Sequence, residues 1–248
     1  MVLIHPTVER LRALGLTAMA DTLIELQNNP EAAEMPHPDW LGLLVDREVT
    51  ARDNRRLMRR LTGAKLRQAA TIENVDYRPA RDPDRSLFQT LATGQWIRDH
   101  NHLVIVGPTS TGKSWLACAL GNKACRNGFS VLYKRVSRLF ADLAQARGEG
   151  RLARLIAALE RVNLLVLDGW GPEPLTADQR RDLLEIVDDR YDKRSLLITS
   201  QLPVSQWYDV IADPTLGDVI LDRIIHNAHR IELKGDSLRR RADDRIQA

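Results

Sequence analysis

LVIVGPTSTGKSWLACALGNKACRN, residues 103–127, decides the fold. Four β-branched or aliphatic residues lead into GPTSTGKS, which matches G-x-x-x-x-G-K-[ST] in full, and a helical run follows. That order of strand, glycine-rich loop and helix is the context in which the pattern has a mechanism. The glycines permit a tight loop whose backbone N–H groups surround phosphate oxygens, and the helix N-terminus adds partial positive charge. Gly107, Pro108, Thr109, Ser110, Thr111, Gly112, Lys113, Ser114 and Trp115 are therefore the expected phosphate-binding residues. Lys113 is expected to reach the β- and γ-phosphates, and the Ser114 hydroxyl to ligate Mg²⁺.

Working outward, four more short β-rich runs alternate with longer helical ones. They are SVLYK (130–134), LLVLD (164–168), LLITS (196–200) and HRIEL (229–233). Alternation of this kind predicts an α/β fold with a mainly parallel five-stranded sheet and helices on both faces. Asp168, at the end of an apolar strand, is expected to hold Mg²⁺ directly or through water. Ser200 and Gln201 end the fourth strand, where a polar side chain can orient an attacking water. Arg223, in the helical run before the last strand, is a candidate finger projecting toward a neighbouring subunit's nucleotide. Arg239 is a weaker candidate for the same site.

The first 65 residues read differently. Leu11, Leu14, Met19, Leu23 and Leu26 recur near helical spacing, and NNPEAAEMPHP (28–38) interrupts them with three prolines. A second helix is predicted over 40–61, capped by Asp39. Its apolar Leu41, Leu44, Val45, Val49, Leu57 and Leu61 are expected on one face, with the arginines on the other. Arg52, Arg55, Arg56, Arg59, Arg60 and Lys65 then form a basic surface suited to duplex phosphates, a largely sequence-independent and salt-sensitive contact. NVDYRPARDPD (74–84) lacks periodicity and is rich in proline and charge, which places the domain boundary there. The expected domains are a helical 1–75, for DNA binding and assembly, and a nucleotide-binding 76–248.

Composition sets outer limits. A chain of 248 residues, 44% hydrophobic and 28% charged, suits one large globular domain or a large one with a small companion. No apolar run approaches the roughly 20 residues of a membrane helix. MVLIHPTVERLRALG places a proline and charges where a signal peptide has its apolar core, so a cytoplasmic location without a membrane partner is expected. Cys118 and Cys125 lie seven apart in one helical run, about two turns, too far for a disulfide; small buried residues are the expectation. Net charge is only +3, so the local clusters, not the total, point to nucleic acid.

Longer stretches carry a resemblance. GPTSTGKSWLACALG (107–121), VLYKRVSRLFADL (131–143), GPEPLTADQRRDLLEIVDDRY (171–191), the run from LLITSQLPVSQWYDV to ELKGDSLR (196–239) and LRALGLTAMADTL (11–23) are similar to the IstB-like transposition helper ATPases. That group is a branch of the AAA+ family that includes the DnaC-like helicase loaders. The resemblance implies a small all-α N-terminal domain before an AAA+ P-loop NTPase domain without a separate lid. It implies ATP and Mg²⁺, homo-oligomers assembled on double-stranded DNA, and a cognate transposase as partner. It maps the phosphate-loop lysine and serine to Lys113 and Ser114, the metal aspartate to Asp168, the sensor to Ser200 or Gln201, and the arginine finger to Arg223. One position departs. Where the family commonly carries a second acid after the metal aspartate, this chain has Gly169, and Glu173 lies beyond a turn. Binding of ATP is thus better supported than its normal hydrolysis. Three classes compete: a DNA-remodelling helper ATPase, a helicase loader, and a nucleotide-binding regulator that hydrolyses little.

Overall fold

The computed structural model describes residues 6–75, 85–171 and 173–234. The chain divides into two compact units, 1–59 and 60–248. The expected boundary over 74–84 falls mostly on residues 76–84, outside the described ones. Residues 60–75 belong with the second unit, where Ala64 and Ala70 are fully buried.

In the first unit, α1 (Pro6–Ala13) and α2 (Thr17–Gln27) pack with the first half of α3 (His37–Ala64) around Val8, Ala20, Leu23 and Leu44. Asp39 sits in the first turn of α3, not at its cap, because the helix starts two residues earlier. The expected segregation of apolar and basic faces is not what α3 shows. Leu44 and Glu48 are buried, whereas Leu41, Val45 and Val49 are exposed. Each four-residue step turns about 400°, so this stripe lies beside the buried face and runs into Arg52 and Arg56 on its own side. Glu48 accepts the Met19 backbone N–H at 3.2 Å and pairs with Arg52 at 2.8 Å and Arg55 at 3.2 Å. These contacts, Arg52 foremost, hold its carboxyl below the usual range.

The second unit is a parallel sheet in the order β2-β3-β4-β1-β5. Its strands are β1 (His102–Val106), β2 (Val131–Arg135), β3 (Leu164–Trp170), β4 (Ser195–Ser200) and β5 (Ala228–Glu232). All five are where the sequence places them, within two residues at each end. The helices around them are α4 (Arg85–Ala92), α5 (Gln95–Arg98), α6 (Lys113–Arg126), α7 (Val136–Gly148), α8 (Leu152–Arg161), α9 (Ala177–Arg190), α10 (Trp207–Ile211) and α11 (Pro214–Ile225). Strand side chains alternate faces. Leu165, Leu167, Leu196 and Ile198 join a core with α7 to α11, centred on Leu143, Val187, Trp207 and Ile224. The alternate residues, including Val166 and Asp168, turn toward α6. Burial on both faces is why the strands read as unbroken apolar runs. Cys118 and Cys125 are buried in α6, and burial raises the Cys125 thiol to about 11. Among the described residues, no helix is long and apolar enough to cross a membrane.

The ends of the strands away from the phosphate loop hold two buried basic groups. Arg190 donates to the carbonyls of Leu159 at 2.7 Å and Ser195 at 2.6 Å, and desolvation lowers it to about 9. His102 accepts the Leu196 N–H at 3.1 Å, and burial depresses it from 6.5 to about 4. The folded state therefore binds fewer protons than the unfolded one between those values. Stability from this group is complete above pH 6.5 and is lost as pH falls toward 4. Thermal melts should show Tm descending by roughly 5 °C or more across that window. The slope should be shallower in His102→Asn. Identical slopes would show that other groups set the acid limit.

Candidate active site

The start of the phosphate loop is held from both sides, by β4 and by the residue after β5. The Gly107 N–H donates to the Ser200 carbonyl at 3.2 Å, and the Leu233 N–H donates to the Val106 carbonyl at 2.8 Å. A Cβ on Gly107 would lie 2.5 Å from the Leu233 carbonyl oxygen, so only glycine fits this approach of β5 to the loop. Thr111 Oγ1 donates to the Pro108 carbonyl at 2.9 Å. Lys113 is the first residue of α6 and nearly buried; its Nζ donates to the carbonyls of Gly107 and Pro108, each at 2.7 Å. Burial lowers its pKa, and the nearby Asp168 partly offsets this.

Ser114 and Asp168 meet, the Ser114 hydroxyl donating to Asp168 Oδ1 at 2.6 Å. Two further hydroxyls converge on the same carboxylate: Thr199 on Oδ1 at 2.6 Å and Tyr133 on Oδ2 at 2.5 Å. Parallel register explains both, since Thr199 stands opposite Asp168 and Tyr133 lies on the neighbouring strand. Burial and this carboxylate push the Tyr133 hydroxyl well above its usual range, so it remains a donor. A carboxylate and a hydroxyl in contact form a hard-oxygen pair that suits Mg²⁺. The buried lysine at a helix N-terminus suits the phosphates. With Mg²⁺ bound, charge on the phosphate oxygens would be neutralised from this side.

The cleft, about 410 Å³, is lined by Thr109, Ser110, Gly112, Lys113, Ser114, Trp115, Asp168, Gly169, Ser200 and Gln201, among others. The two sensor candidates separate. Ser200 is buried, its hydroxyl donating to the Trp170 carbonyl at 3.0 Å and accepting the Leu202 N–H at 3.0 Å. Gln201 is exposed, and its Oε1 accepts from Thr109 of the phosphate loop at 2.8 Å. Gly169 is the extra residue of a β-bulge, because Asp168 pairs with Thr199 and Trp170 with Ser200. It has φ +83°, its N–H donates to Thr199 Oγ1 at 3.0 Å, and a Cβ there would meet nothing within 4 Å.

Arg223 is elsewhere. Its Nε pairs with Asp188 at 2.6 Å, and its guanidinium lies 6.0 Å from the Tyr191 ring centre. The His102 N–H donates to the Asn227 carbonyl at 3.1 Å, just past the end of α11, which puts the C-terminal turn that carries Arg223 near the start of β1, whereas the phosphate loop follows its end. Five residues of strand, on the order of 16 Å, separate the two. Of the basic residues of α3, Arg52 and Arg55 share Glu48, Arg56 pairs with Asp53 at 3.2 Å, and Arg59 Nε donates to the Arg55 carbonyl at 3.4 Å. Arg60 is half-buried, and Lys65 is exposed just past the helix. Arg239 lies outside the described residues.

The family profile described as "IstB-like ATP binding protein" matches residues 9–246. The chain belongs to this IstB-like ATP-binding family. A Sinorhizobium fredii (strain NGR234) protein named as an insertion sequence ATP-binding protein, y4pL, is 57% identical over 239 residues, covering 96% of this chain and 98% of the relative. A protein named for ATP binding in insertion sequence IS1162 of Pseudomonas fluorescens is 45% identical over 200 residues, 80% of this chain and 87% of its own. Among solved structures, the crystal structure of DnaI matches with a TM-score of 0.59 at 20% identity, over 67% of this chain and 92% of that one. That likeness is one of fold alone.

In this IstB-like chain, sequence reasoning missed Tyr133 and Thr199. Thr199 had a signal, as the residue before the sensor candidates at the end of a strand. Tyr133 had a weaker one, as a polar-tipped aromatic in a buried strand, where its hydroxyl needs a partner.

Proposed function

We propose that this chain is an ATP-dependent, DNA-binding helper of an insertion-sequence transposase, which assembles as a homo-oligomer on duplex target DNA and remodels it. The observation that carries the reading is one cleft in which Lys113, Ser114, Asp168 and Gln201 converge, in a chain so similar to proteins named for ATP binding within insertion sequences. Lys113 contacts the β- and γ-phosphates, Ser114 and Asp168 hold Mg²⁺, and Gln201 orients water. Thr109, the other loop residues and Trp115 surround the nucleotide. Arg223 lies too far from its own cleft to serve it and fits a role at a neighbour's. The helical first unit, residues 1–59, binds DNA and assists assembly, and the second unit, 60–248, is the ATPase domain, acting in the cytoplasm. Electron microscopy of the protein with ATP and duplex DNA tests the assembly directly. Discrete oligomers on DNA support the helper, and isolated monomers at saturating ATP refute it.

A second reading, an ATP-binding regulator with little turnover, is favoured by Gly169 alone. ATP turnover with and without DNA separates them, since the helper requires DNA-stimulated hydrolysis. The basic helix carries its own prediction. Replacing Arg55, Arg56, Arg59 and Arg60 by alanine should weaken binding to all duplex sequences alike. Each lost phosphate contact should also remove roughly 0.9 from the log–log salt slope. Arg55 and Arg56 already have carboxylate neighbours, so the slope should fall by less than four full contacts. Titrations at several salt concentrations check this; unchanged affinity and slope would place the DNA surface elsewhere.

A further inference from the structure

The cleft has two cations that no part of the reading above uses. Arg67 and Arg135 both line it, together with Lys113, Asp168 and Gly169. Arg135 ends β2 directly opposite Asp168 in register. It shares a strand face with Tyr133, two residues back, because side chains alternate. Tyr133 reaches Asp168 from that face, so Arg135 stands one step further out, at the mouth of the cleft. Arg67 enters from the segment that follows α3, and both arginines are exposed. Its charge acts on the Tyr133 hydroxyl and the Cys118 thiol, which sets it on the Asp168 side as well.

Charge accounting gives these groups a task. Lys113 and Asp168 are of opposite sign and cancel. The net negative charge of a magnesium–triphosphate would then have only backbone dipoles and cations from other subunits to answer it. A bound Mg²⁺ would be held by Ser114 and Asp168, and it would neutralise charge at the β/γ end of the nucleotide. Cations beside Asp168 therefore face the β/γ end, not the base.

We propose that Arg67 and Arg135 form a pair of positioning residues, supplied by the same chain as the phosphate loop, that recognises the γ-phosphate and so distinguishes ATP from ADP. This rests on the cleft being the ATP site. Because Arg67 lies just past the end of α3, after Lys65 and Leu66, it also gives the γ-phosphate a contact on the segment adjoining the basic helix.

The test is calorimetric titration of ATP and of ADP, each with Mg²⁺, into the full-length protein and its Arg67→Gln, Arg135→Gln and Arg67→Lys forms. Thermal melts serve as the folding control. Each glutamine variant should lose about tenfold in ATP affinity, the scale of one charge-assisted hydrogen bond, while ADP affinity stays within about threefold. Arg67→Lys should recover part of the loss, since a lysine keeps the charge but not the fork. Equal losses for both nucleotides, or no loss for either, would overturn the pair's role while leaving the site intact. Failure of the unmodified protein to bind either nucleotide would overturn the reading of the cleft itself.

Discussion

Lys113→Ala is expected to abolish ATP-dependent assembly on duplex DNA. Two losses combine in this one change. The ammonium is the phosphate loop's own side-chain cation, nearly buried beside Asp168, so alanine removes the positive charge closest to the loop and leaves Asp168 without its lysine neighbour. The same Nζ ties the carbonyls of Gly107 and Pro108, so alanine also removes the tie that shapes the loop. Loss of a buried charge-assisted contact and of loop order together should lower ATP affinity by about a hundredfold or more. Size-exclusion chromatography with ATP and duplex DNA reads the outcome, with assembly-sized material absent in the variant. Lys113→Met keeps most of the aliphatic stem while deleting the charge, and should fail equally if charge is decisive. A large complex of normal size in either variant would remove the lysine from the mechanism.

What could be read in advance followed from local chemistry, and what could not depended on register. The five strands were legible because a sheet covered on both faces leaves uninterrupted apolar runs, as in LLVLD and LLITS. The phosphate loop was legible because its pattern and both flanks are contiguous. By contrast, the hydroxyls of Tyr133 and Thr199 reach Asp168 from different strands, and no spacing within one segment encodes that convergence. The choice between Ser200 and Gln201 likewise waited on which side chain turned inward. On α3, apolar residues at 41, 45 and 49 looked like a core stripe, but four-residue steps drift away from Leu44, and their side is exposed. Arg223 could be placed on a helix from sequence, yet its position at the far end of β1 emerged only from the fold.

Gly169→Asp is expected to raise DNA-stimulated ATP turnover by about tenfold or more. The chain as it stands has the Asp168 carboxylate proposed to hold the metal, but no side chain at 169 to accept a proton from water or to orient it. A positioned base typically contributes about 10²–10⁴ in rate. Asp168 cannot take that role while both its oxygens already accept the hydroxyls of Ser114, Thr199 and Tyr133, which leaves it poorly placed to receive a water's proton as well. The bulge sets a counter-cost. Gly169 has φ +83°, and a side chain in left-handed backbone costs roughly 1–2 kcal/mol. Space is not the obstacle, since a Cβ there meets nothing within 4 Å. Aspartate tolerates positive φ better than longer side chains do, so Gly169→Asp should gain more than Gly169→Glu, and both should melt slightly below the parent. Faster hydrolysis should also shorten the life of the ATP-bound complex on DNA. Turnover by the parent and both variants, with complex lifetime followed in parallel, decides the matter. Equal and brisk rates in all three would mean that another group, Gln201 or Glu173, already positions the water, and that Gly169 serves the bulge alone.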